Sequence, residues 1–96
     1  MLGRKIEEST VLNEHFNEYG KIILYEEGFE LKNDRSNIKG GYNLIKDLES
    51  IGGVSLGRVV VKIHAFDMLG DEHKMVIALP EQIYLILKSK WEKIME

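Results

Sequence analysis

Val61-Lys62-Ile63-His64-Ala65-Phe66-Asp67-Met68-Leu69-Gly70-Asp71-Glu72-His73-Lys74-Met75-Val76-Ile77 is the stretch on which the fold turns. Apolar and polar residues alternate through both arms, and the central loop ends in glycine. A three-residue loop that closes on a left-handed residue makes a tight hairpin with a bulge, and glycine enters that conformation without steric cost. Placing Met68-Leu69-Gly70 in the loop pairs Ile63 with Met75 and Val61 with Ile77, so one face becomes uniformly apolar. Ile23-Leu24-Tyr25-Glu26-Glu27-Gly28-Phe29-Glu30-Leu31 shows the same grammar. With Glu26-Glu27-Gly28 as its loop, Tyr25 pairs with Phe29 and Ile23 with Leu31. Because side chains alternate across a strand, a slip of one residue would turn each set to the wrong face.

Outward from these hairpins the periods change. Val11, Leu12, His15, Phe16 and Tyr19 recur at helical spacing between Ser9 or Thr10 and Gly20, which predicts a short helix over 10–19; an extended lead-in to the first hairpin is the rival reading. Asn33 to Gly41 reads as a long polar loop. Leu44, Ile45, Leu48 and Ile51 fall on one helical face, capped by Asn43 and ended by Gly52, so 43–51 is read as a helix, with a bent strand as the alternative. Pro80 opens a terminal helix whose Ile83, Ile86, Leu87, Trp91 and Ile94 form a stripe. The expected class is α+β: an antiparallel sheet or small barrel of two hairpins, packed by this amphipathic C-terminal helix, with one or two further short helices.

Ninety-six residues with 44% hydrophobic content suit one domain over 1–96, its polar residues 1–8 loosely held. Thirteen basic against sixteen acidic residues, net charge -3, supply no basic field for a phosphate backbone, so nucleic acid is not expected as a partner. The absence of cysteine excludes disulfides, thiolate zinc sites and thiol catalysis, and fits a reducing interior. No signal-peptide core or membrane-length apolar run is present, and a cytoplasmic protein is expected. Abundant Glu, Lys and Ile with a single Gln, Gln82, leans toward a heat-adapted source.

No catalytic or metal-binding constellation stands out. In the second hairpin His64 faces Lys74 and His73 faces Ala65, which puts the two histidines on opposite faces, where they cannot converge on a metal. His15 is expected at the boundary of the core. Gly52-Gly53-Val54-Ser55-Leu56-Gly57 precedes a strand and opens no helix, so it reads as a flexible turn and not as a phosphate loop. Tyr25, Phe29 and Tyr42 are expected to pack in the core, since the cationic groove that would make them a stacking platform is missing. No cofactor and no metal is expected. The outer stripe of the second hairpin is the one unusual surface: Val60, Phe66 and Val76 interrupt Arg58, Lys62, His64 and Lys74. It is either covered from within the domain, by 44–51 or by the first helix, or it is a binding surface.

The order of events from Gly20 resembles the small bacterial and archaeal pleckstrin-homology-like barrels. It runs from the glycine-led hairpin Gly20-Lys21-Ile22-Ile23-Leu24 to Phe29-Glu30-Leu31, through Tyr42 to Ile51 and a second hairpin, to a proline-started helix ending Lys90-Trp91-Glu92-Lys93-Ile94. More faintly it is similar to the corresponding part of the archaeal taxis adaptor family CheF. The barrel resemblance implies seven strands, of which four are clear in the sequence. Its lipid-binding members carry basic residues at the first hairpin tip; here the tip is Glu26-Glu27-Gly28, which implies a protein-binding scaffold that engages neither phosphoinositide nor membrane.

Three functions remain from different classes. The first is a non-enzymatic adaptor that binds a protein through a sheet edge, the second hairpin face or the groove beside the terminal helix, with Val60, Lys62, His64, Phe66 and Lys74 as the expected partner-binding residues. The second is a homodimer joined through the same stripe. The third is a small-molecule or catalytic pocket between sheet and helix, with His15 or His64 as its polar group.

Overall fold

The structure is a computed structural model that describes residues 2–95. Among the described residues seven strands and one α-helix follow in order: β1 (Lys5–Asn13), β2 (Glu18–Tyr25), β3 (Gly28–Lys32), β4 (Asn37–Gly41), β5 (Ile45–Ser55), β6 (Arg58–Phe66), β7 (Glu72–Pro80) and α1 (Glu81–Met95). They make one antiparallel sheet in the order β4-β3-β2-β1-β7-β6-β5, so the α+β class and the C-terminal helix stand. The sheet is not closed among the described residues: β4 and β5 are its two edges.

The β6–β7 hairpin has the register its alternation dictates, with Ile63 opposite Met75, Val61 opposite Ile77, and Gly70 left-handed at φ 89°. The β2–β3 hairpin does not. Leu24 pairs with Phe29 and Ile22 with Leu31, one residue away from the expected pairing, and the turn is Glu26-Glu27 alone. The slipped register still gives an apolar face, because Ile22, Ile23 and Leu24 are consecutive and the pleat can bury either set; it buries Ile22 and Leu24 with Phe29 and Leu31 in the core cluster. Gly28 is not left-handed. It is glycine because a Cβ there would overlap the Leu2 side chain and the Gly40 carbonyl oxygen.

Both expected extra helices are strands. Residues 10–19 divide into the end of β1, a turn and the start of β2, which is the extended rival. Residues 45–55 form β5, after a single 3₁₀ turn at Tyr42–Leu44. The loop expected over 33–41 shrinks to its first residues, since Asn37–Gly41 is β4. The polar N-terminus, expected to be loosely held, is paired: Glu8 sits opposite Ile23, and the amides of Glu26 and Glu27 donate to the carbonyls of Arg4 and Leu2. The 52–57 turn narrows to Leu56-Gly57, with Gly52 (φ 88°) in the irregular part of β5.

The missed hairpin, β1–β2, has a physical signature. Asn13 Oδ1 accepts from the amides of His15 (2.8 Å) and Asn17 (3.1 Å), as Asp67 Oδ1 accepts from those of Leu69 (2.9 Å) and Asp71 (3.0 Å). The backbone bonds repeat as well: Asn13 to Asn17 and Phe16 to Asn13 match Asp67 to Asp71 and Gly70 to Asp67. The two loops are the same device, an Asx-organised three-residue turn. Where the second has Gly70, the first has Phe16 at φ 63°, and the glycine signal is therefore absent.

A sheet of seven strands is roughly 30 Å wide at the usual strand spacing. A 15-residue helix is about 22 Å long and about 10 Å across, so α1 cannot cover one flat face of it. The inner face is nonetheless buried out to both edges, Ile38 on β4 at 2% exposure and Leu48 on β5 at 7%. The sheet therefore curls over its own inner face, aided by register shifts in β1 and β5, and α1 fills what is left. Ile83, Leu87 and Tyr84 are buried there, each side chain contributing about 1.5–3 kcal/mol, and Trp91 Nε1 donates to the Ile45 carbonyl at 2.9 Å. Tyr84, which the expected stripe omitted, is buried, and Ile94, which it included, is 47% exposed. Pro80 ends β7, and the helix starts one residue later than expected.

Leu56 is a left-handed residue (φ 55°) in the two-residue β5–β6 turn, with its side chain in solvent. Leu56→Asn should raise stability by about 1 kcal/mol in urea unfolding, because asparagine tolerates that conformation and leucine does not. Asn13→Ala should lower it by about 1 kcal/mol by leaving the loop amides without their acceptor.

Candidate functional site

Strand alternation sends Arg58, Val60, Lys62, His64 and Phe66 of β6 to the outer face, opposite Pro80, Ala78, Val76, Lys74 and Glu72 of β7. The five residues picked from the sequence, Val60, Lys62, His64, Phe66 and Lys74, thus share one surface. Val60, His64 and Phe66 are half-buried, and Lys62 and Lys74 are exposed. The helix packs on the opposite, inner side with Ile83, Tyr84 and Leu87. The cover expected from 44–51 or from a first helix does not form. β5 lies beside β6 in the plane of the sheet, and β1 lies beside β7.

These neighbours add residues that the helical reading of their segments concealed. β5 sets Asp47 opposite His64 and Glu49 opposite Lys62, while β1 sets Leu12 opposite Ala78. An apolar strip of Leu12, Val60, Ala78 and Val76 results, bordered by opposed charges. Arg58 lies across its end, its Nη1 donating to the carbonyls of Ala78 (3.2 Å) and Thr10 (3.4 Å), where β1 and β7 part after two paired residues. Glu49 and Lys62 are both exposed, so their opposition contributes little stability.

His64 is held on this face by Glu72, Nε2 to Oε2 at 2.5 Å, and its ring lies 5.7 Å from that of Phe66 at 40°. The hydrogen bond from His64 is the main reason the Glu72 carboxyl lies below its usual value; desolvation opposes it, and the charges of His64, Lys74 and Lys46 assist. His73 is on the inner side of the strand, bonded through Nε2 to Asp67 Oδ2 at 2.9 Å, so the two histidines are on opposite faces. Their bonds to different carboxylates fix the hairpin and make no common ligand set. Among the described residues no group of three histidine, aspartate or glutamate side chains is placed to hold a metal.

A cleft of about 450 Å³ lies beside α1, lined by Glu26, Glu27, Tyr42, Asn43, Lys90, Lys93 and Ile94. Neither His15 nor His64 reaches it. His15 stands exposed on the β1–β2 turn, 3.9 Å from Glu14 and off the core boundary expected for it, so the pocket reading loses both of its polar candidates. The Tyr42 phenol is pushed up to about 12 by burial and donates to the Tyr25 carbonyl at 2.6 Å, a structural bond. Of the three aromatics assigned to the core, Phe29 and Tyr42 stack there with centroids 6.5 Å apart. Tyr25 is instead half-buried on the outer face of β2 and donates to the buried Glu30, which also accepts from Asn37.

Comparison with family models, curated proteins and solved structures gives no match in any of the three. No helix of the described residues is long and apolar enough to cross a membrane.

Glu72 and Glu8 are both lowered in the folded chain, Glu8 to about 2 by hydrogen bonds from Lys21 and then Lys5. A carboxyl depressed on folding adds stability that is complete above its unfolded value, about 4.3, and is lost as pH falls through the folded value. Glu8→Gln should therefore flatten the acid limb of the pH–stability curve below about pH 4. In a carbon-detected NMR titration, His64→Gln should move the Glu72 midpoint up toward its ordinary position.

Proposed function

We propose that this chain is a non-enzymatic protein-interaction module, a small adaptor or a domain of one, and that it binds a partner protein through the outer face of β5–β6–β7. One observation carries the reading: the half-buried aliphatic side chains of Leu12, Val60 and Val76, grouped around buried Ala78 with Phe66 at their margin and bordered by charges of both signs, lie on the sheet face opposite the helix. An apolar centre with a polar rim is the composition of a protein–protein contact. The mixed signs around it, Lys62 and Lys74 against Asp47, Glu49 and Glu72, suit a protein surface better than a polyanion or an anionic bilayer.

The pleckstrin-homology-like resemblance belongs to the same proposal. It is supported by seven antiparallel strands arranged as two runs of sequential hairpins, β1 to β4 and β5 to β7, by the contact of β1 with β7 that joins the runs and by the terminal helix. The acidic Glu26-Glu27 tip supports a protein ligand over an inositol phosphate within that resemblance. A cysteine-free chain supports a cytoplasmic setting. The taxis-adaptor likeness has no further support in the geometry.

The test has two arms. Light scattering across a concentration series is run on the wild type and on Phe66→Asp, whose fold circular dichroism verifies. A wild-type dimer that becomes a folded monomer would assign the face to self-association and replace the adaptor reading. For a monomer, a photo-crosslinking amino acid at Lys62 or Val76, in cells that make the protein, should give one discrete adduct. That adduct should be absent with the probe at exposed Gln82 and lost on Phe66→Asp; equal labelling at all three positions, or none, would sink the proposal.

A further inference from the structure

A second cleft, of about 320 Å³, lies between β4 and the tip of the β6–β7 hairpin, lined by Asn37, Lys39, Asp67, Met68 and Leu69. It shares no residue with the outer-face site. β4 is an edge strand, and the ladder shows which of its backbone groups are unpaired. The Asn33 amide donates to the Ser36 carbonyl at 2.9 Å, which makes 33 and 36 a hydrogen-bonded pair. Bonded and non-bonded pairs alternate along an antiparallel ladder. Leu31–Ile38 and Phe29–Gly40 are therefore the bonded pairs of β3 with β4, and Asn37, Lys39 and Gly41 turn their N–H and C=O groups to the open edge. Two of those three residues line the cleft.

The facing wall is apolar and firm. Met68 is 64% exposed and Leu69 89%, the latter the most exposed large apolar side chain of the described residues. The loop backbone that carries them is organised by Asp67, whose Oδ1 accepts from the amides of Leu69 and Asp71 while its Oδ2 is bonded to His73. An edge strand in natural proteins is usually shielded by a bulge, proline, a covering loop, shortness or charged side chains; β4 is five residues long and has one such charge, Lys39, but neither bulge nor proline. β4 pairs with β3 in unbroken register and carries glycine at Gly40 and Gly41.

We propose that this cleft takes an extended segment of a partner protein, which adds to β4 as an eighth strand and sets an apolar side chain against Met68 and Leu69. The free backbone groups of β4 specify a strand as the occupant, since only an extended chain presents donors and acceptors at their spacing. The charge at the edge specifies its polar positions. Lys39, which lines the cleft with its Nζ 5.8 Å from the Tyr25 ring centre, and Lys32 share the outer side of β3–β4 with a single carboxylate, Glu30, whose ionised form they favour, so that side carries one positive charge in excess. Acidic residues alternating with apolar ones fit this edge. A second copy of the chain fits poorly: the centred two-fold pairing of β4 with itself sets Lys39 opposite Lys39, and the registers that avoid this contact, with Lys39 opposite Asn37 or Gly41, pair only three of the five strand residues.

The experiment is a selection from a phage-displayed library of random peptides on the immobilised whole chain, followed by calorimetry with the synthesised winners. Winners should alternate apolar and acidic residues and slow amide exchange at Asn37, Lys39 and Gly41. Lys39→Pro deletes an outward N–H and no β3–β4 bond, so it should leave the melting temperature near that of the wild type and weaken binding roughly ten-fold or more. Leu69→Ser, at a solvent-exposed position, should weaken binding by a similar factor and covers the case in which the proline variant fails to fold. No winner, binding indifferent to both variants, or exchange protection away from β4 would overturn the proposal. Binding abolished by Phe66→Asp but unaffected by Lys39→Pro would assign the peptide to the outer face, overturning this site and leaving the adaptor reading intact.

Discussion

One helix has to finish a core that seven strands begin. The inner face of the sheet carries aliphatic side chains on every strand from β2 to β7, and α1 brings Ile83, Tyr84 and Leu87 to meet them. Water would reach most of that face if the sheet were flat. Curling is the remaining way to bury it, and the register shifts of β1 and β5 are where a curled ladder is expected to break step. Trp91, bonded to the Ile45 carbonyl, pins the helix to the edge strand β5.

The curl has consequences for what is left outside. A sheet bent around its own core keeps its helix on the concave side, so no helix covers the convex side of β5–β6–β7, where Leu12, Val60 and Val76 stay half-buried and Ala78 is buried. The bend also brings the β6–β7 tip to the edge of β4 without pairing β4 to β5. Both proposed surfaces are thus by-products of one requirement, the burial of apolar area with too little helix. They differ in what they offer a partner. The face offers side chains alone, whereas the β4 edge offers backbone groups and would impose an extended conformation on whatever binds.

The turns explain why the sequence reading met part of this and missed the rest. Glycine at the end of a loop located the β6–β7 hairpin to the residue, because Gly70 is left-handed and the alternation on both sides agrees with it. The same rule misplaced β2–β3, where Gly28 answers a close approach of Leu2 and Gly40, and three consecutive aliphatics left the period undecided. It overlooked β1–β2, where Phe16 occupies the glycine position. The more dependable signal was the Asx residue that opens the loop: Asn13, Asn33 and Asp67 each bond the amides two to four residues ahead. Five-residue spans of the type Asn/Asp to Asn/Asp, as in 13–17 and 67–71, would have revealed both matching loops.

The sequence by itself determined the antiparallel class, the second hairpin with the common face of Val60, Lys62, His64, Phe66 and Lys74, the opposition of His64 and His73, and the terminal helix. Each is local: a period of two or of 3.6 and a turn residue are written within some twenty consecutive positions. The tertiary structure alone decided that 10–19 is strand, turn and strand and that the chain from Ile45 on is strand, not helix. Their apolar residues fit both periods, and the choice fell to pairing with neighbouring strands: Thr10 and Val11 with Lys21 and Gly20, Leu48 and Ser50 with Ile63 and Val61, and Leu12 with Ala78, far along the chain. It also decided that Asp47, Glu49 and Leu12 join the outer face, and that Met68 and Leu69 face a free strand edge. Those juxtapositions depend on which strands become neighbours when the sheet curls, and no short stretch of sequence carries that information.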